Sequence, residues 1–284
     1  MNFIYSILYG IIEGITEWLP ISSTGHMILA ENFMKVTMPG SAQNSVDYMN
    51  MFLTVIQLGA ILAVLVAFLR RINPWARSKT AQEKRATWSL WGKIIVGCIP
   101  AGVIGILLDN FIHDHLYTYI MVAVTLLIYG VAFIWIEVLN RGRNFKIKRL
   151  EDINYKTALI IGAFQVLALV PGTSRSGATI LGAMIIGIAR PAAAEFSFLL
   201  AVPVMFGASA VAVKDYGLHN FTASGVGILL VGMTAAFIVS LIAIRFLMGF
   251  LRKHDFKAFG YYRIALGVIV LLYCLISSKF VPVY

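Results

Sequence analysis

The sequence predicts an all-α polytopic membrane protein, with six transmembrane helices plus two re-entrant broken helices in an inverted-topology repeat. Three observations carry that expectation. The 284 residues are 60% hydrophobic and 13% charged, with mean hydropathy +0.84, whereas a soluble domain carries about 25% charged residues. Several apolar stretches have bilayer length, and two more are apolar but interrupted near their middles. The basic residues gather in alternate loops.

The candidate spans cover roughly 47–69, 88–108, 117–139, 192–213, 223–248 and 259–279. The interrupted segments, roughly 3–35 and 154–189, break at Pro20 and at Pro171-Gly172, which leaves arms of about 15 residues, too short for a hydrocarbon core of about 30 Å. A helix that breaks and returns to its own side fits better, and such backbone is tolerated only where protein covers it or it lines a cavity.

Loop charge sets the orientation. Arg70, Arg71, Arg77, Lys79, Lys84 and Arg85 follow the first span, and Arg141, Arg143, Lys146, Lys148 and Arg149 follow the third. Arg252, Lys253 and Lys257 follow the fifth, while the loops Asp109–Leu116 and Lys214–Thr222 hold only Lys214. The positive-inside rule makes the basic loops cytoplasmic and both termini external. The first interrupted segment then enters from outside and the second from inside, each followed by three spans. The chain reads as one integral membrane domain, 1–284, of two inverted repeats at about 1–140 and 150–284, a transporter-like architecture. Local likeness adds weak support: Pro20-Ile-Ser-Ser-Thr-Gly resembles Pro171-Gly-Thr-Ser-Arg-Ser, and Phe52–Ala60 loosely resembles Phe198–Ala208.

Composition also excludes. The net charge of +10 sits mainly in short loops, so it reports orientation and anionic lipid, and no basic, aromatic-interleaved soluble domain offers itself to nucleic acid. Cys98 and Cys274 fall inside apolar spans without metal or CxxC spacing and read as structural thiols. The N-terminus lacks a basic region, and Glu13 and Glu17 break its apolar stretch, which argues against a removable signal peptide. Arg245 and Arg263 lie near span ends, where long basic side chains snorkel. Glu195 opens a span with no assigned role, and His113 and His115 make a poor metal signal.

Chemistry concentrates in the interruptions. The first reads Glu13-Gly-Ile-Thr-Glu17-Trp-Leu-Pro20-Ile-Ser22-Ser23-Thr24-Gly25-His26, and the second Pro171-Gly172-Thr173-Ser174-Arg175-Ser176-Gly177-Ala-Thr179. Ionisable residues at this depth are expensive and mark function by default. Glu13 and Glu17, four apart, share a helix face. Such a pair suits Mg²⁺ or Ca²⁺ bridging to phosphate, or acid–base work, or more blandly a polar helix–helix contact. Ser22, Ser23, Thr24 and Gly25 open the next half-helix, where hydroxyls cap backbone N–H groups and an N-terminus attracts anions. His26 beside them suits a nucleophile, base or acid, or a cross-helix hydrogen bond. Arg175 cannot shed its proton and needs an anion, either a glutamate held permanently or a substrate phosphate among Thr173, Ser174, Ser176 and Gly177.

These strings resemble the undecaprenyl-diphosphate phosphatase family linked to bacitracin resistance. The likeness rests on Glu13–His26, Gln57–Val64, Pro171–Thr179 and Glu195–Pro203 and runs over essentially the whole chain. It implies a multi-pass enzyme of the bacterial plasma (inner) membrane. The activity implied is hydrolysis of undecaprenyl diphosphate to undecaprenyl phosphate and inorganic phosphate, which recycles the lipid carrier of peptidoglycan precursors. Carried over by position, Glu13 and Glu17 are the acidic pair for metal and catalysis. His26 is the essential histidine, Arg175 the phosphate-binding arginine, and Ser23, Thr24 and Ser174 contact the diphosphate. Ser23, His26 and water remain alternative nucleophiles. The partners implied are the lipid substrate and membrane lipid, with a homodimer left open. The rival from another class is a prenyl-phosphate flippase or anion carrier built on the same repeats, with Arg175 binding and not cleaving.

Overall fold

The computed structural model describes residues 2–31, 34 and 42–277, and these are overwhelmingly helical. The helices in chain order are α1 (Asn2–Thr16), α2 (Ser23–Glu31), α3 (Ala42–Val55), α4 (Gln57–Ala67), α5 (Leu69–Ile72) and α6 (Ala81–Leu116), then α7 (Tyr119–Leu139), α8 (Tyr155–Gln165), α9 (Arg175–Ile185), α10 (Arg190–Tyr216), α11 (Ala223–Phe250) and α12 (Lys257–Ser277).

Six helical stretches among the described residues are long and apolar enough to cross a membrane: Asn44–Ala67, Ala81–Leu108, Tyr119–Leu139, Arg190–Tyr216, Ala223–Phe250 and Lys257–Ile276. They fall on the six expected stretches. The second starts earlier than expected because Thr80 and Glu83 form a capping box, each side chain bonded to the other's backbone N–H. Its helix also runs on to Leu116, so the expected loop Asp109–Leu116 is helical instead; apolar residues such as Phe111 and Leu116 extend the helical pattern past the charges. Residues 35–41 lie outside the described residues, and α3 begins at Ala42. Within the first span α3 gives way to α4 at Ile56-Gln57, where Ile56 keeps helical backbone angles.

Both interrupted segments form helix–turn–helix hairpins, α1–α2 and α8–α9. The longest arm, α1, has 15 residues, about 22 Å at 1.5 Å per residue, less than the roughly 30 Å of a hydrocarbon core. In the first hairpin the helix stops at Thr16, ahead of Pro20, and the chain turns over residues 17–22. The Glu17 N–H still bonds to the Glu13 carbonyl at 3.0 Å, so the two acids keep their one-turn relation.

Long helices hold the hairpins. Helix α1 packs on α11 and α8 on α6; α7 pairs with α12, and α10 crosses α3 and α4 at the centre. Glycine makes the hairpin contacts close. A Cβ on Gly10 would lie 2.4 Å from the Gly232 carbonyl oxygen, and one on Gly162 would lie 2.2 Å from that of Gly97. Inside, Trp18, Ile180, Phe196, Phe198 and Leu200 belong to one apolar core shared by α4, α9 and α10. Outward faces expose Leu107, Val131, Trp135, Ile242 and Leu275, the surface that lipid tails would cover.

Candidate active site

Each hairpin turn is set by a serine in a conformation that serine rarely adopts. Ser22 has φ +72° and Ser174 φ +69°, and no other described non-glycine residue has positive φ. Each then caps the helix that follows: Ser22 Oγ accepts from the Gly25 N–H at 3.3 Å, and Ser174 Oγ accepts from the Gly177 N–H at 3.2 Å. This shared geometry pairs Ser22 with Ser174 and Gly25 with Gly177. Matched on these serines, the two turns are one residue out of step with the match on Pro20 and Pro171. Glu13 then stands opposite Gln165 and Ser23 opposite Arg175.

The hairpin tips meet through Glu17. Its Oε1 accepts from Arg175 Nη2 at 2.9 Å, its Oε2 accepts from Ser23 Oγ at 2.9 Å, and its backbone carbonyl accepts from Ser176 Oγ at 3.1 Å. Arg175 also donates to the Ser197 carbonyl and lies 5.7 Å from the centroid of the Trp18 ring. Arg175 thus has a glutamate partner on Nη2, while its Nε–H has no hydrogen-bond partner. Glu13 is buried, and its Oε1 has no hydrogen-bond partner.

One residue read as snorkelling is corrected. Arg263 on α12 is fully buried; it donates through Nη1 to the Pro20 carbonyl at 3.2 Å and through Nη2 to the carbonyls of Gly172 at 2.8 Å and Thr173 at 2.9 Å. It also lies over the Tyr129 ring at 5.3 Å. A single guanidinium therefore ties both turns together. Its position near a span end suggested the surface, and sequence carried no sign that two turns would converge on it. Arg245, by contrast, is exposed.

Two neighbouring cavities, or lobes, adjoin the hairpins and share part of their lining. A lobe of about 310 Å³ is lined by Glu13, Ser23, Thr24, Asn50, Thr54 and Gln57 among others. A larger one of about 600 Å³ is lined by Glu17, Gln165, Ser174 and Arg175 and by apolar wall from Ile106, Leu169, Val204 and Val211. Ser23, Thr24, Gln57 and Tyr117 line both. The expected residues therefore divide. Glu13, Glu17, Ser23, Thr24, Ser174 and Arg175 reach the cavity. Ser22, Gly25, Thr173, Ser176 and Gly177 shape the turns behind it through the bonds above, and a Cβ on Gly177 would approach Arg263 Nη1 at 3.0 Å. His26 lies elsewhere: its Nδ1 pairs with the Ser22 carbonyl at 2.7 Å, and its Nε2 with the Tyr262 hydroxyl at 2.8 Å.

Several other residues find places. Cys98 lines the larger lobe, and Cys274 is buried; neither is in a disulfide. Glu195 pairs with Arg71. Glu137 on α7 takes Arg190 on both oxygens and accepts from the Phe256 N–H, tying α7 to the start of α10 and to the residue just ahead of α12.

Comparison with known proteins decides what this constellation belongs to. A family model described as "Bacitracin resistance protein BacA" matches residues 6–269. The chain belongs to the BacA family. Curated relatives named undecaprenyl-diphosphatase match along nearly their whole lengths. One from Desulfitobacterium hafniense is 54% identical over 94% of each chain. One from Acetivibrio thermocellus is 52% identical over 97% of this chain and 98% of its own, and one from Enterococcus faecalis 50% identical over 97% and 99%. The match in this family takes in both hairpins from residue 6 of α1 onward, five of the membrane-crossing helices whole and the sixth as far as residue 269.

Proposed function

We propose that this chain hydrolyses undecaprenyl diphosphate to undecaprenyl phosphate and inorganic phosphate in the cavity where the hairpins meet. It works as a multi-pass enzyme of the bacterial plasma membrane, its two halves an inverted repeat with re-entrant hairpins. Lowering the free diphosphate removes the lipid that bacitracin sequesters, which links the activity to the family's description. One observation carries the site: Ser23 Oγ donates to Glu17, and Glu17 is itself held by Arg175.

Ser23 Oγ is the attacking atom. As it bonds to the terminal phosphorus its proton passes to Glu17, the bond from phosphorus to the bridging oxygen breaks, and undecaprenyl phosphate leaves. Water then cleaves the phosphoserine, giving inorganic phosphate and returning the serine hydroxyl. Arg175 Nε–H, free of protein partners, faces charge on the phosphates. His26 holds the first turn of α2 to α12 through Ser22 and Tyr262 and so positions Ser23.

Mg²⁺ or Ca²⁺ suits the donors present. Glu13 contributes a buried oxygen without a partner, and the neighbouring Glu17 supplies a second carboxylate. Among the described residues no group of three or more His, Cys, Asp or Glu could hold a metal, so phosphate oxygens and water would complete the shell, as hard cations permit. When bound, the ion supplies positive charge beside the phosphates.

The test is phosphate release from undecaprenyl diphosphate carrying a labelled terminal phosphate, by purified wild type and Ser23→Ala. Release by wild type, with label trapped on the protein and both lost in Ser23→Ala, supports the reading. Label trapped on His26 instead would overturn the assignment of the attacking atom. Lipid binding without release would favour the carrier.

A further inference from the structure

Gln165 is unexplained by the fold. It ends α8, is 2% exposed, and neither Oε1 nor Nε2 has a hydrogen-bond partner. A buried primary amide with both ends unsatisfied is unfavourable unless something in the adjoining space completes it. That space is the larger lobe, which Gln165 lines together with Arg175 and Glu17. In the first hairpin the corresponding position is Glu13, also buried with an unpartnered oxygen, and it lines the smaller lobe. Equivalent turns thus present an acid to one lobe and a neutral amide to the other.

The lobes differ in their walls. The smaller one is rich in polar side chains, with Asn50, Thr54 and Gln57 beside Glu13. The larger one adds an extended apolar wall from α6 and α10, including Ile106, Val204 and Val211. A prenyl diphosphate has one apolar end and one doubly charged end, so the prenyl tail and the phosphate attached to it belong in the larger lobe. The terminal phosphate then lies toward Ser23, which borders both lobes. An amide N–H can bond a phosphate oxygen without adding charge, whereas a carboxylate at the same place would repel it.

We infer that Gln165 is a substrate-contacting residue whose amide donates to the prenyl-side phosphate, the group that leaves with the lipid. This rests on the undecaprenyl-diphosphatase reading and deepens it by assigning the two phosphates to the two lobes. It has a specific consequence. The prenyl-side phosphate is present in substrate and product alike, so losing Gln165 should weaken binding of both by the same factor and leave the chemical step little changed.

The experiment compares wild type with Gln165→Leu, Gln165→Ala and Gln165→Glu, measuring kcat and KM for undecaprenyl diphosphate. Direct binding of undecaprenyl phosphate to the same detergent-purified proteins is measured in parallel. Wild-type turnover tests the activity itself, and product binding tests Gln165 whether or not turnover occurs. We expect KM and the product Kd to rise together by about tenfold or more in Gln165→Leu, and further in Gln165→Glu, with kcat within about threefold of wild type. A rise in KM with product binding unchanged would move Gln165 to the terminal phosphate and overturn the assignment. A fall in kcat alone, or no change in either constant, would overturn it too. Thermal unfolding accompanies each variant. Because Gln165→Leu replaces the unsatisfied amide by an apolar side chain of comparable size, it should fold at least as stably as wild type, so destabilisation of that variant would mark Gln165 as structural and also overturn the proposal.

Discussion

Ser22 and Ser174 adopt the same left-handed backbone conformation at the tips of different hairpins, and each accepts a hydrogen bond from the glycine N–H three residues on. Two effects compete at such a position. Serine supplies the cap, while glycine would relieve the strain of a positive φ. Replacing Ser174 by alanine loses the cap and keeps the strain, and should destabilise by about 1–2 kcal/mol. Replacing it by glycine should destabilise less. Thermal unfolding of the two variants in detergent checks the order, and alanine tolerated better than glycine would contradict it.

Glu17 and Arg175 join the hairpins as a nearly buried pair. Arg175→Ala would leave a carboxylate in a low-dielectric cavity, and breaking a buried pair costs about 3–5 kcal/mol. Activity should fall by at least about a hundredfold. The double variant Glu17→Gln/Arg175→Ala should be more stable than Arg175→Ala alone, because the orphaned charge is gone. Equal melting temperatures for the two would show that the pair is not the source of the loss.

Arg263 is the sole described side chain seen to bond carbonyls of both turns. Lysine keeps the charge but presents one nitrogen where the guanidinium presents two. Arg263→Lys should lower both melting temperature and kcat, the latter by about tenfold or more, since each lost bond to a charged donor is worth about 1.5–3 kcal/mol. Full activity in Arg263→Lys would mean that the turns hold their spacing without it.

His26 bonds Tyr262 and the Ser22 carbonyl and does not line the cavity. Substituting His26 by alanine should reduce kcat by loosening the start of α2. Tyr262→Phe should reduce it less, since the bond to Ser22 survives. Labelled phosphate should still be trapped on Ser23 in both. A His26 variant with wild-type kcat would remove the positioning role.

Glu13 offers the unpartnered carboxylate oxygen. If it holds Mg²⁺ or Ca²⁺, EDTA should abolish phosphate release and either ion should restore it. The Glu13→Gln variant should then need about tenfold more ion for half-maximal rate, a loss typical of weakened ligation. Full activity in EDTA would exclude the metal requirement.

The membrane-crossing helices were legible because bilayer crossing demands long apolar runs, and no loop can imitate them. Both hairpins were legible as interruptions in such runs, and their polar strings held Glu17, Ser23 and Arg175, which the structure brings together, because charged and polar groups are costly at that depth. The finer geometry was not. Pro20 marked the first turn, yet the helix stops at Thr16, and the register of the two turns follows from φ and capping at Ser22 and Ser174.

Sequence by itself determined that this chain spans a membrane and that acidic, hydroxyl and basic side chains gather in two interruptions of its apolar runs, because both follow from local composition and spacing. Tertiary structure decided which residues meet. It set Glu17 between Ser23 and Arg175, turned His26 toward Tyr262, buried Arg263 between the two turns and left Gln165 facing a cavity without a partner. The physical reason is that these contacts join segments far apart in the chain. A polar residue's partner in an apolar interior is fixed by which helices pack together, and no local pattern records that choice.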